Sequence, residues 1–139
     1  MLNHKNNIYY LGFFSNESLK KENRSSFRAS HIPMLYITDA IKRAGYAITR
    51  VSASRTQGTQ SCPAHVIEID DQEKDIFFKS FGNKGKSLLG LNILQSKYEL
   101  FKFFFKNVKK NDTVIVYHSL FYLKIILFLR KIIKIKNII

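Results

Sequence analysis

The chain has a single cysteine, Cys62, so no disulfide framework can form within it. That fits a reducing compartment. Acidic residues are scarce in the second half. Up to Asn83, eleven Lys/Arg face eight Asp/Glu; beyond it, twelve face two. Long apolar runs are also lacking. The opening "MLNHKNNIYYLGFF" has an apolar stretch too short for a secretory signal. The closing "LFYLKIILFLRKIIKIKNII" carries five Lys/Arg, and its apolar runs fall far below the ~20 residues of a spanning helix. These features predict a cytoplasmic protein. Motifs are missing as well. There is no GxGxxG dinucleotide fingerprint, no GxxxxGK[ST] phosphate loop and no G-x-S-x-G elbow. His4, His31, His65, His118 and Cys62 are scattered without ligand spacing, which argues against a zinc site. No metal and no cofactor are expected.

What is present in excess is positive charge, +13 in 139 residues. It sits almost wholly in the C-terminal part and suggests an anionic partner: phosphate, nucleic acid or an acidic membrane surface. The abundance of Lys, Asn, Ile and Phe gives a second reading, in which AT-rich codons place the charge on solvated faces. The aromatics of "KYELFKFFFKNVKK" fall at helical spacing and read as core rather than as stacking platforms. No nucleic acid is expected.

The chain is long enough for one domain with a real core. "IYYLGFF" predicts a buried first strand ending near Gly12 to Phe14, followed by a polar loop. "SHIPMLYITDAIKRAGY" predicts a helix capped by Ser30, with Pro33 in its first turn and Gly45 just past its end. "YAITRVSAS" is a second strand. "HVIEID" and "KDIFFKSF" predict an antiparallel ribbon around the turn "DDQE", whose acids, with Asp75, read as solvated. A helix over about Leu88 to Val108 places Leu91, Leu94, Tyr98, Phe101 and Phe105 on one core stripe. "TVIVY" lacks alternation and reads as a strand buried on both faces. Leu120 to about Lys134 is a last amphipathic helix, and "NII" opens a further strand. This rhythm predicts an α/β, Rossmann-like, doubly wound and mostly parallel sheet, with helices on both faces and a small antiparallel ribbon. A strand beginning at Asn137 predicts an incomplete single domain, truncated at its C-terminus.

Such sheets bind ligands beyond the C-terminal ends of their strands. Three exit loops therefore become candidates: "GFFSNES", "SASRTQG" and "HSL". His118, directly after a buried strand, suits an acid, a base or a phosphate-facing donor; it equally suits a histidine bonded to nearby backbone. Ser119 reads as the cap of the last helix, whose N-terminus could also receive an anion. Gly12 permits either close backbone approach to a ligand or a tight turn. Lys20, Lys21, Arg24 and Arg28 lie in the first loop, near the proposed crevice, as phosphate or carboxylate donors or as a solvated segment.

"RASHIPMLYITDAIKRAGYAITRVSAS", followed by "DTVIVYHSL", resembles the N-terminal domain of bacterial family 4-like glycosyltransferases of the B-type, two-domain fold, which build capsular and other surface polysaccharides. The resemblance spans Ile8 to Ile139 and implies transfer of a sugar from a nucleotide-sugar donor to a saccharide or lipid-linked acceptor. It implies that this chain shapes the acceptor side, that a missing C-terminal domain holds most of the donor, and that no metal is needed. His118 would be catalytic, and Gly12 with its neighbours Phe14, Ser15 and Asn16 would form the substrate loop; Arg24, Arg28 and Ser119 would bind substrate. The basic last helix, through Lys124, Arg130, Lys131, Lys134 and Lys136, could touch an anionic membrane surface peripherally. The rival expectation is a non-enzymatic basic α/β binding module, regulatory or for nucleic acid.

Overall fold

The computed structural model describes residues 7–26, 28–82, 86–117 and 119–139. The element order is β1 (Ile8–Gly12), a 3-10 helix (Glu17–Glu22), α1 (Arg28–Arg43), β2 (Ile48–Ser52), β3 (His65–Asp70), β4 (Glu73–Phe77), α2 (Lys86–Asn107), β5 (Thr113–Val116), α3 (Leu120–Ile133) and β6 (Asn137–Ile138). One six-stranded sheet runs β3-β4-β2-β1-β5-β6. β1 pairs in parallel with β2 and β5, β2 with β4, and β5 with β6. Only β3 is antiparallel, at the edge beside β4. The architecture is α/β, mostly parallel, and consistent with a Rossmann-like fold. β5 has a strand running the same way on each side, but it is not buried throughout as its unbroken apolar run predicts: Val114 is buried, and Thr113, Ile115 and Val116 are only partly so.

Strand pleating divides the core in two. Tyr9 and Leu11 of β1 join Leu100 and Phe104 of α2 and Ile126 and Leu129 of α3. Tyr10, between them, joins Ile48, Phe77 and Met34, with Ile37 and Ile41 of α1 packed alongside.

The two ends of α1 differ: one follows local chemistry and the other does not. Gly45 has φ +81, the Gly45 N–H donates to the Lys42 carbonyl (2.8 Å), and the Tyr46 N–H donates to the Ile41 carbonyl (3.2 Å). This is the Schellman ending that a C′ glycine predicts. The start is the exception. α1 begins at Arg28, so Pro33 lies inside the helix and not in the first turn expected from a Ser30 cap. Proline there leaves the Ala29 carbonyl without its usual intrahelical donor.

β3 and β4 form the expected antiparallel ribbon, and β4 is also a full parallel neighbour of β2. One further expectation is corrected: α2 turns a different stripe inward. Leu91, Leu94, Tyr98 and Phe105 are exposed and Phe101 only partly buried, while Asn92, Ser96, Leu100 and Phe104 are buried. Two stripes at helical spacing exist in this sequence. The inner one includes Asn92, whose Oδ1 accepts the Phe81 N–H at 2.8 Å and ties the helix to the loop after β4.

Candidate functional site at the C-terminal edge of the sheet

The parallel register brings the strand ends level: Gly12 lies opposite Ser52, Ser52 opposite Phe77, and Leu11 opposite Val116. Their exit loops therefore open on one edge. Gly12 is buried; a Cβ there would meet the Tyr10 ring at 3.1 Å, and its carbonyl accepts the Ala53 N–H at 3.1 Å. Ser52 fastens the loop after β1. Its Oγ donates to the Phe14 carbonyl at 2.6 Å and accepts from the Ser54 N–H at 3.2 Å. The first serine of the "S-A-S" run thus serves the backbone.

Phe14, expected beside substrate, is 2% exposed and belongs to the core. Its ring meets Phe77 edge-on at 5.4 Å and lies under the Arg50 guanidinium at 5.5 Å. Asn16 caps the 3-10 helix: its Oδ1 accepts the Ser18 N–H at 3.0 Å, and its Nδ2 donates to Asp75 at 3.2 Å. Ser15 remains partly exposed.

Beneath this loop lies a buried ion network. Arg50 Nε and Nη2 grip Asp75 at 2.6 and 2.9 Å, and Nη1 reaches Glu73 at 2.7 Å. Glu73 accepts in turn from Lys42 Nζ at 2.8 Å, and Lys42 also pairs with Asp70. Those hydrogen bonds, first to Asp70 and then to Glu73, hold the Lys42 ammonium above its ordinary pKa. The acids read from sequence as a solvated turn are therefore half structural: Glu73 and Asp75 are buried, Asp70 and Asp71 exposed. The network runs from the end of α1, across β4 and β2, to Asn16 at the sheet's edge.

Arg24, expected as a phosphate donor in an open loop, is 6% exposed and fully engaged. Nε pairs with Glu22 at 2.6 Å; Nη1 donates to the carbonyls of Phe78 (2.8 Å) and Ser54 (3.3 Å), and Nη2 to that of Pro63 (2.8 Å). A guanidinium clamping three connections has no fork left for a ligand. Glu22 is held from its other side by His65 Nε2 at 2.5 Å. Burial raises the Glu22 pKa, but the hydrogen bonds and charges of Arg24 and His65 outweigh it and keep the carboxyl below its usual range.

His118 lies outside the described residues. Its neighbours are well anchored. The Tyr117 N–H donates to the Leu11 carbonyl at 3.2 Å, and Ser119 caps α3, its Oγ accepting the Tyr122 N–H at 3.2 Å. Ser119 is thus the cap its sequence predicts. Arg28 is the first residue of α1. Near that helix start an open depression of about 520 Å³ is lined by Ser15, Asn16, Lys20, Ser26 and His31. A second depression, about 490 Å³, lies at the opposite edge among Asn7, Asp70, Asp71, Glu73 and Lys74. Lys20, Ser26 and His31 join Ser15 and Asn16 only because the 3-10 helix folds the first loop back toward α1. Among the described residues no cluster of three His, Cys, Asp or Glu is placed to hold a metal ion. No family model matches this chain, and neither the curated proteins nor the solved structures contain a match.

Proposed function

We propose that this chain is the acceptor-side domain of a glycosyltransferase, in which a doubly wound sheet presents its C-terminal edge to an acceptor hydroxyl and a nucleotide-sugar donor. The observation that carries the reading is the register: the exits of β1, β2 and β5 open together where the chain's crossovers diverge, β1 leading to β2 on one side and β4 to β5 on the other. In this reading the bond between the anomeric carbon and the diphosphate oxygen breaks. A bond from the acceptor oxygen to that carbon forms, and the acceptor's proton passes to a base. His118 supplies the imidazole near the reacting sugar. The N-terminus of α3 faces the negative charge gathering on the diphosphate. Lys20 and Lys21 are exposed cations of the first loop, and Lys20 lines the depression near the start of α1, whereas Arg24 is spent on the core. A second domain binds the nucleotide.

The test is transfer of labelled sugar from nucleotide-sugar donors to lipid-linked acceptor in membranes of cells producing the protein. His118→Ala is expected to lower turnover by roughly 10²-fold or more, the scale of a lost general acid–base. Unchanged turnover removes His118 from the mechanism. A salt-dependent shift with DNA, alongside no transfer, replaces the enzyme with a nucleic-acid module.

The membrane belongs to the same reading. Among the described residues no helix is long and apolar enough to cross a bilayer. Yet α2 and α3, joined by the Phe101–Phe128 ring contact at 6.3 Å, leave Tyr98, Phe105, Leu127, Phe128 and Ile132 exposed. Lys102, Lys106, Lys124, Arg130 and Lys131 are exposed on the same two helices. Apolar side chains among cations suit the headgroup region of an anionic leaflet. Vesicles containing phosphatidylglycerol should bind the protein at low salt and release it as salt rises. Each of Lys131→Ser and Arg130→Ser should weaken binding about fivefold, since a cation at such a surface contributes ~1 kcal/mol. Protein that ignores these vesicles at low salt has no such surface.

A further inference from the structure

We propose that Arg55 forms, with Tyr122 and Ser96, a pocket for a single oxyanionic group, a carboxylate or a phosphate carried by a small ligand. A cavity of about 140 Å³ lies between the exits of β1 and β2, the first turn of α3 and the inner stripe of α2. It is lined by Phe13, Arg55, Ile93, Ser96 and Tyr122. At ~30 Å³ per water, that space holds one phosphate or one carboxylate with a short stem.

Three observations favour an anion. First, Arg55 Nη1 is buried and has no hydrogen-bond partner among the described residues, whereas Arg24 and Arg50, the two buried arginines nearby in sequence, are paired through every nitrogen. An unpaired buried charged donor costs stability, which a ligand with fork geometry would recover. Second, the backbone of Arg55 is fixed. Its carbonyl accepts the Ser25 N–H at 2.8 Å, and its N–H donates to Ser25 Oγ at 3.2 Å, so the side chain springs from a rigid base. Third, two hydroxyl-bearing side chains share the cavity, Ser96 at 5% and Tyr122 at 1% exposure, with Phe13 packed on Tyr122 at 5.0 Å. Burial pushes the Tyr122 phenol above its ordinary pKa, and the positive charge of Arg55 pulls it back, so the phenol stays a neutral donor beside the guanidinium at physiological pH. This pocket needs no sugar transfer, and its test reads binding alone.

The experiment measures thermal unfolding of the whole chain with rising inorganic phosphate or acetate, ionic strength being held constant with sodium chloride. Wild type should gain stability with one or both anions, and the stronger responder identifies the group. Arg55→Met should melt at or above the wild type without anion, because it removes a buried N–H donor that lacks a partner, and should lose at least tenfold in apparent affinity. Arg43→Met, which removes an exposed arginine paired with Asp39 at 2.9 Å, should respond as the wild type does. Equal responses in both variants, or no response in the wild type, overturn the proposal. An Arg55→Met protein that melts lower without anion, or fails to fold, assigns the guanidinium to the core and overturns it as well.

Discussion

Replacing Asp75 by alanine should cost about 3–5 kcal/mol of folding stability, the usual penalty for breaking a buried pair and stranding its partner. Asp75 is 1% exposed and takes two bonds from Arg50 and one from Asn16. Its loss leaves Arg50 with Glu73 alone and frees the amide that holds the loop after β1. For a domain whose whole stability is of order 5–15 kcal/mol, that is a large fraction. Urea denaturation near pH 7 measures it. Asp39→Ala provides the contrast: its partner Arg43 is exposed on the same helix, so its loss should cost at most about 0.5 kcal/mol. The double replacement Arg50→Met with Asp75→Leu should be milder than Asp75→Ala, since no charge is then stranded. Similar costs for Asp75→Ala and Asp39→Ala would mean that water reaches the network freely.

Gly82→Ala should destabilise by about 1–3 kcal/mol or more, the range for forcing volume into a filled site. A Cβ at Gly82 would sit 2.0 Å from the Thr59 carbonyl oxygen and 2.4 Å from its carbon. Both are backbone atoms, so no side chain can swing aside. The loop carrying them is itself tethered. Cys62 and Ser80 exchange backbone hydrogen bonds at 2.8 and 3.0 Å, and the Thr56 N–H donates to Ser80 Oγ at 3.0 Å. Gly90→Ala should do the opposite. It lies in α2 with nothing among the described residues within 4 Å of the added carbon, so alanine should gain about 0.5–1 kcal/mol in a helix. Equal melting temperatures for the two variants would show that the Gly82 contact is not tight.

The sequence makes the elements visible because their signals are local. Gly45 after Lys42 and Arg43 marks the end of α1, Ser119 marks the start of α3, and the unbroken "TVIV" marks a strand. What it hides depends on partners distant in the chain. Arg50 in "ITRVS" reads as one polar residue in a strand, and Glu73 and Asp75 read as part of a turn. Only the register Arg50 opposite Asp75 turns them into a buried pair. Arg24 is hidden for the same reason, since its carbonyl partners come from positions 54, 63 and 78. On α2, two apolar stripes compete, and spacing alone cannot choose the one that contains Asn92 and Ser96. Of the candidate site, the edge of the sheet was readable, because strand-ending loops of parallel strands share it. Which side chains stay available there was not. Phe14, Asn16 and Arg24 carry the right chemistry but are consumed by packing, capping and the core. Arg55 sits in the "SASRTQG" exit, and its signal in sequence is only that it is the one cation of that loop.

Backbone amide shifts of the isotopically labelled chain, followed during titration with octyl glucoside, an acceptor mimic, below its micelle concentration, examine the proposed edge directly. Changes gathered at residues 13–16, 53–56, 117 and 119 are the expected result. No changes, or changes gathered around Asp70 to Lys74 at the opposite end of the strands, would contradict it.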